Sequence, residues 1–406
     1  MWLRIFYRLR KTWVTVALWK RVVVIAISLC LLIQFAFAYS LWRESTLRKQ
    51  LAGKTRFYFG KSPLSPGIER QLLSLVSPAK LQLLTPIKAA HIVLPTDDDF
   101  LAISRLNIKR LTIRAGNLDA LDLQRIGWIS QLETLDLDCD NIDPKALAPL
   151  ADCGKLRRLK IIGRMAPEAL SPLQHCASLD ELRLSVINIY GGESVGLIEP
   201  ISGSHLAAVP QIPNLTCLSI ESPGMTTAAL DRLAGAERLE KLHLYQVDLQ
   251  TGSLNGLSQL PRLKLLAVRL DAPCDVKPLE GFPALSTLAV RGGRISHRFL
   301  GSLRRLPHLD TLSLSDCRVN ENLRALAKYS KLKRLNLEGS DADMEGIRRI
   351  GRLYGLEVLR TTGFQEPEAY RDLFPRLQAT PAFSWNFGLD QETWRYGTPM
   401  GGGCFF

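Results

Sequence analysis

Residues able to do chemistry are few in this chain, and they are scattered. Gly192-Glu193-Ser194-Val195-Gly196 matches GxSxG, the sharp turn that lifts a serine nucleophile above an α/β-hydrolase sheet, and it follows a predicted strand. Its chemistry would be acyl transfer by Ser194, with an Asp and a His set behind it. Gly53-Lys54-Thr55 and Gly60-Lys61-Ser62 look like the ends of phosphate loops. The glycine required five residues earlier is Arg48 in one case and Thr55 in the other, so neither is a nucleotide site. Eight cysteines, at 30, 139, 153, 176, 217, 274, 317 and 404, include no CxxC pair, and six dispersed histidines form no HExxH, so no metal or cofactor is expected. Cys404 has only two residues after it and is no prenylation box.

The elements that would have to position any such group come from one repeating pattern. Apolar residues at positions one, four and six recur as IKRLTI at 108, LETLDL at 132, LRRLKI at 156, LDELRL at 179, LTCLSI at 215, LEKLHL at 239, LKLLAV at 263, LSTLAV at 285, LDTLSL at 309, LKRLNL at 332 and LEVLRT at 356. Spacing is 22 to 24 residues apart from one interval of 36, and a weaker copy, IKAAHI, stands at 87. A second apolar pair recurs between strands, as in Leu147 and Leu150, Leu170 and Leu173, Leu323 and Leu326. Pro144 and Pro167 stand near the expected helix starts.

These units resemble the leucine-rich repeat family, whose LxxLxLxxN/CxL forms a strand followed by a short helix or 3₁₀ turn. The resemblance covers about 85–380 and implies an α/β solenoid, a right-handed superhelix with a parallel concave sheet. It also implies protein binding, the usual work of the family, and no enzyme activity. One departure matters: where the family favours Asn or Cys at position nine, this chain has Gly116, Asp140, Arg164, Ile187, Pro223, Val247, Asp271, Gly293, Cys317, Ser340 and Phe364. Stacking is therefore expected to rest on apolar packing and strand pairing. Cys153 and Cys176 share the slot three residues before a strand, filled elsewhere by Ile129, Leu260 or Leu306, and read as small buried hydrophobes. In adjoining turns they could also form a disulfide in an oxidising compartment.

Strand positions three, five and seven point away from the core. They carry Arg110, Arg114, Arg158, Lys160, Arg183, Lys241, Arg269, Arg291, Arg334 and Arg360, with His243 and Tyr245 between them, against Asp136, Asp138, Glu181, Glu221 and Glu338. The twelve cationic and aromatic residues are the candidate partner-binding set, and their basic excess suits an acidic protein ligand. A merely solvated face would explain the same charges. The 36-residue interval leaves an insertion around 190–203 that decorates the binding face or is a rim loop without a partner.

Net charge is +13, yet residues 1–60 hold eleven basic residues and one acidic, so that stretch supplies most of it. Charge gathered at one terminus is topogenic, and nucleic acid is not an expected partner. VVVIAISLCLLI at 22–33 continues through FAFAY to Trp42, enough for a transmembrane helix over 22–42, with Arg4, Arg8, Arg10, Lys11, Lys20 and Arg21 before it. This places the amino end in the cytoplasm and the repeats outside. Trp2, Phe6, Leu9, Trp13 and Val16 at helical spacing make 1–21 a basic amphipathic segment for the headgroup layer, or an ordinary basic leader. Ala36-Phe37-Ala38 also fits a signal cleavage site, which would give a secreted repeat protein with a structural envelope role. Residues 43–86 are the expected N-terminal cap, 87–363 the solenoid, and 364–406 a C-terminal cap and tail.

Overall fold

A computed structural model describes residues 39, 42, 45–51, 54–59, 87–186, 199–248, 254–270, 275–351, 353–362, 373, 374 and 376. The chain divides into two compact units, Met1–Lys88 and Ala89–Phe406. In the first, 45–50 is helical, with the Ser45 and Thr46 hydroxyls donating to the Trp42 carbonyl at 2.8 and 3.0 Å, and strand β1 spans Thr55–Phe59. Among the described residues no helix is long and apolar enough to cross a membrane. The predicted span at 22–42 lies outside them except for Tyr39 and Trp42, whose exposed rings meet at 6.0 Å between centroids. The amphipathic segment 1–21, residues 60–86 of the expected N-terminal cap, Ser194 and the tail beyond Arg376 also lie outside the described residues.

In the second unit, strand and short helix alternate. The strands are β2 (Ile87–Val93), β3 (Arg110–Leu118), β4 (Thr134–Ile142), β5 (Arg158–Met165), β6 (Glu181–Ser185), β7 (Cys217–Thr226), β8 (Lys241–Asp248), β9 (Leu265–Leu270), β10 (Thr287–Arg291), β11 (Thr311–Ser315), β12 (Arg334–Leu337) and β13 (Val358–Thr361). From β2 to β13 each pairs in parallel with the next, in chain order. Each LxxLxL copy therefore forms one strand, and position four of one unit stands beside position four of the next, as in Leu111, Leu135 and Leu159. This is a leucine-rich solenoid.

Alternation explains the layering. Leu182, Leu218, Leu242 and Leu266 at position four, with Leu184, Ile220, Leu244 and Val268 at position six, are fully buried against the helical layer. From that layer Leu147, Leu150, Leu170, Leu173, Leu300 and Leu303 meet them. Helices start where position twelve carries a capping side chain: Asp119 accepts from Leu121 and Asp122 amides at 2.8 and 2.9 Å, Ser296 from Phe299 at 3.1 Å and Asp343 from Gly346 at 2.7 Å. Many of these elements are 3₁₀ turns, such as Ala148–Asp152 and Ser171–His175. Their opening prolines are Pro149 and Pro172; Pro144 and Pro167 stand in the preceding turns.

Between turns, a single carbonyl recurs as a double acceptor. The Lys109 carbonyl takes the amides of Glu133 and Thr134, Glu133 those of Arg157 and Arg158, and Arg157 those of Asp180 and Glu181. The series runs through Asp180, Thr216, Glu240, Lys264, Ser286, Asp310 and Lys333, which accepts from Glu357 and Val358. At position nine Cys317 donates to the Gly292 carbonyl of the preceding turn at 3.2 Å. Side chains elsewhere supply further ties. Tyr329 donates to the Leu309 carbonyl at 2.6 Å, Asn322 to that of Ile295 at 2.8 Å and Ser178 to that of Leu156 at 3.0 Å. Cys153 and Cys176 are buried as their slot implies; the disulfide considered for them is not formed, and both thiols are free.

Across the 36-residue interval the register is unbroken, with Glu181 beside Cys217 and Leu184 beside Ile220. Where the chain re-enters the solenoid, the Ser202 amide donates to His205 Nδ1 at 3.2 Å, so Nε2 carries the proton it donates to the Met165 carbonyl at 3.0 Å. One glycine is tied to the stacking itself. Gly163 has φ +141°, and a Cβ there would overlap the Cys139 carbonyl oxygen of the neighbouring strand.

Two outcomes follow from this packing. Gly163→Ala should lower stability by about 2 kcal/mol or more in chemical denaturation, whereas Gly154→Ala, with open space around it, should change it by under about 1 kcal/mol. Burial pushes the Cys139 and Cys153 thiols up to about 12 and Cys176 up to about 11. At pH 8 the native thiols of Cys139 and Cys153 should therefore react with an alkylating reagent roughly 10³-fold more slowly than in the unfolded chain. Labelling of Cys153 and Cys176 that required a reductant would show them paired instead.

Candidate recognition surface

All twelve candidate residues lie on the face of the sheet turned away from the helices, the front face. Arg110 and Arg114 stand on β3, Arg158 and Lys160 on β5, Arg183 on β6, and Lys241, His243 and Tyr245 on β8. Arg269 is on β9, Arg291 on β10, Arg334 on β12 and Arg360 on β13. Register brings some of them side by side: Lys160 with Arg183, Tyr245 with Arg269, and Arg269 with Arg291. Others are separated by a neutral or acidic strand, as Arg110 and Arg158 are by Thr134.

Carboxylates hold several of these cations. Arg114 stands 3.8 Å from Asp138, Arg183 bonds Glu181 at 2.6 Å on its own strand, Arg291 bonds Asp316 at 2.7 Å and Arg360 bonds Glu338 at 2.8 Å. Arg334 donates to Thr311 Oγ1 at 2.8 Å, and Arg158 to Thr134 Oγ1 at 3.2 Å. The basic excess seen in the sequence is thus an interleaved array of both signs. Asp316 and Asp310 belong to it although they stand outside positions three, five and seven; only the fold brings them within reach of Arg291 and Arg334.

Exposure divides the face. Arg110, Thr112, Arg114, Asp136, Asp138, Arg158 and Lys160, on β3–β5, are half-buried and meet solvent at their tips. Towards the middle the face closes: His243 is 3% exposed and Tyr245 2%, and Ser185, Ser219 and Glu221 are buried with them. Ser185 donates to the Glu221 carboxylate there at 3.1 Å. His243 and Tyr245 therefore present no surface to a partner, in contrast to the cations around them.

Burial also shapes the charges that remain. Lys160 is pushed below the usual lysine range by desolvation, and by Arg183 beside it, while Asp136, Glu221 and Asp138 pull it back. Asp138 is raised by desolvation, with Arg114 and Lys160 opposing. Lys241 is lowered by desolvation against the pull of Glu181 and Glu240. Partly dehydrated charges of this kind, fixed on a hydrogen-bonded sheet, interact more strongly with an incoming opposite charge than flexible surface side chains do. What the array can do is bind. Among the described residues no group of three or more His, Cys, Asp or Glu could hold a metal ion.

No family model matches the sequence, and no curated protein matches it. Solved structures with a similar chain course include an internalin of Listeria monocytogenes, 15% identical over 78% of this chain and 93% of that one, TM-score 0.45. A leucine-rich repeat protein of Leptospira interrogans is 16% identical over 74% and 91%, TM-score 0.33, and Toll in its complex with Spatzle, from Drosophila, is 12% identical over 68% and 47%, TM-score 0.39. Likenesses this distant leave the use of the surface to its own chemistry.

Proposed function

We propose that this chain is a non-enzymatic, membrane-anchored repeat protein that recognises a protein partner through the front face of its sheet. The observation that carries the reading is the half-buried array on β3–β5, where Arg110, Arg114, Arg158 and Lys160 outnumber Asp136 and Asp138 on one hydrogen-bonded frame. A partner offering carboxylates two strand steps apart, about 9.6 Å, would meet the cations of β3 and β5 on either side of β4. Residues 22–42 cross the bilayer in this reading, with the N-terminus cytoplasmic and the repeats extracytoplasmic. Support comes from the exposed Tyr39 and Trp42 rings at the end of the apolar run, the residue types that favour the headgroup level. Cys217 is disulfide-bonded, which suits an oxidising compartment.

Two measurements test the two halves. Photo-crosslinking in native membranes from a probe at Thr112 should capture a partner, and the Arg110→Glu, Arg114→Glu, Arg158→Glu triple variant should reduce the yield about tenfold, a loss of ~1.4 kcal/mol. An unchanged yield from the folded variant would remove the front face from the reading. Protease added to intact cells should degrade the repeats and leave a membrane-held fragment that begins at Met1; a mature chain beginning at Tyr39 would make the protein secreted instead.

A further inference from the structure

Along the rim where the strands begin, position two of successive turns carries charges that alternate in sign. Lys109, Glu133, Arg157 and Asp180 stand at one end, Glu240 and Lys264 in the middle, and Asp310, Lys333 and Glu357 at the other, with Thr216 and Ser286 between the groups. Neighbours in this row are one strand step apart, about 4.8 Å, near enough for opposite charges to close on each other. Lys109 closes on Glu133, Arg157 on Asp180 at 2.8 Å and Lys264 on Glu240 at 3.0 Å.

The last group breaks the rule. Lys333 stands between two carboxylates, as Arg157 does, yet among the described residues it pairs with neither. Asp310 is engaged elsewhere, 3.4 Å from Arg334 and accepting from the Thr311 hydroxyl at 2.7 Å. At this point the rim opens into a cavity of about 330 Å³, which Lys333 lines with His308, Asp310, Lys331, Glu357 and Arg376. His308 and Lys331 lie two residues before Asp310 and Lys333, so their turns supply an imidazole and two ammoniums side by side, and Arg376 adds a guanidinium from beyond β13. Lys331 is fixed by the Pro307 carbonyl at 2.9 Å, which leaves two of its three N–H groups for another acceptor.

Three cations around one concavity suit a ligand with several acceptor oxygens. A carboxylate offers two in one plane and is satisfied by a single fork, whereas a phosphoryl group offers three and meets donors from three directions. Glu357 opposes a second phosphate and can accept from an ammonium or hydroxyl on the same molecule.

We propose that this rim cavity binds a phosphoryl group on a molecule that also carries an ammonium or hydroxyl. Lys331, Lys333 and Arg376 hold the phosphate oxygens, His308 donates to them, and Glu357 takes the substituent. Lipid headgroups and free phosphate esters share this chemistry. The site lies on β11–β13, apart from the β3–β5 array, and stands whether or not that array binds a protein.

Equilibrium dialysis of the full chain in non-ionic detergent, against O-phosphoethanolamine and against inorganic phosphate at low salt, reads the site. Phosphoethanolamine should be retained, and Lys333→Ala should weaken it about tenfold or more, the loss of a charged hydrogen bond. Lys264→Ala, on the same row but in a closed pair, should leave retention unchanged. Glu357→Gln should strengthen inorganic phosphate several-fold and remove the preference for phosphoethanolamine. Retention of neither probe by the folded chain, or equal losses from Lys264→Ala and Lys333→Ala, would overturn the site. Displacement of bound phosphoethanolamine by phosphatidylethanolamine vesicles would assign it to a lipid headgroup; retention undisturbed by the vesicles would assign it to a free phosphate ester.

Discussion

No turn of this solenoid can bury its own leucines, so everything rests on the contact between one turn and the next. That contact has a fixed geometry. A single carbonyl at the second position of each unit accepts two amides of its successor, which sets both the spacing and the register before any side chain is considered. With the register fixed, position four falls on position four and the apolar column is continuous through Leu182, Leu218, Leu242 and Leu266. Side-chain ties such as Tyr329 to Leu309 and Cys317 to Gly292 add to this step at particular turns, each worth on the order of 1 kcal/mol. The repeated backbone step is what lets the chain vary position nine so freely.

The same regularity made the architecture legible in the amino-acid sequence. Apolar residues three and two apart, returning every two dozen residues, specify a strand with one buried side, and every LxxLxL copy from 108 to 356 became a strand. Charge pairing on the front face was not legible to the same degree. Counting positions three, five and seven finds the cations, but Arg291 meets Asp316 at position eight and Arg334 meets Asp310 at position two, and the outward-facing positions carry no trace of that. Nor does it say which outward-facing residues lose their solvent. Tyr245 and Arg114 occupy the same repeat position, and one is buried while the other is half-open.

This distinction changes what the face means chemically. A row of unopposed arginines would attract any polyanion at long range and with steep salt dependence. An array in which Arg114 already faces Asp138 and Arg183 already faces Glu181 binds only where a partner offers better geometry than the carboxylate it displaces. Desolvation of Lys160 and Lys241 sharpens that competition, because a dehydrated ammonium has more to gain from a well-placed carboxylate. Selectivity of this kind depends on position more than on total charge.

The uninterrupted pairing of Glu181 with Cys217 across 36 residues has an evolutionary consequence. Sequence added between two turns whose strands still align leaves the backbone ladder on either side intact, so the interval after β6 is a place where the chain can acquire or exchange segments without refolding its neighbours. His205, anchored to the Met165 carbonyl, marks the doorstep at which the repeat architecture resumes, so added sequence between those two points leaves the ladder untouched.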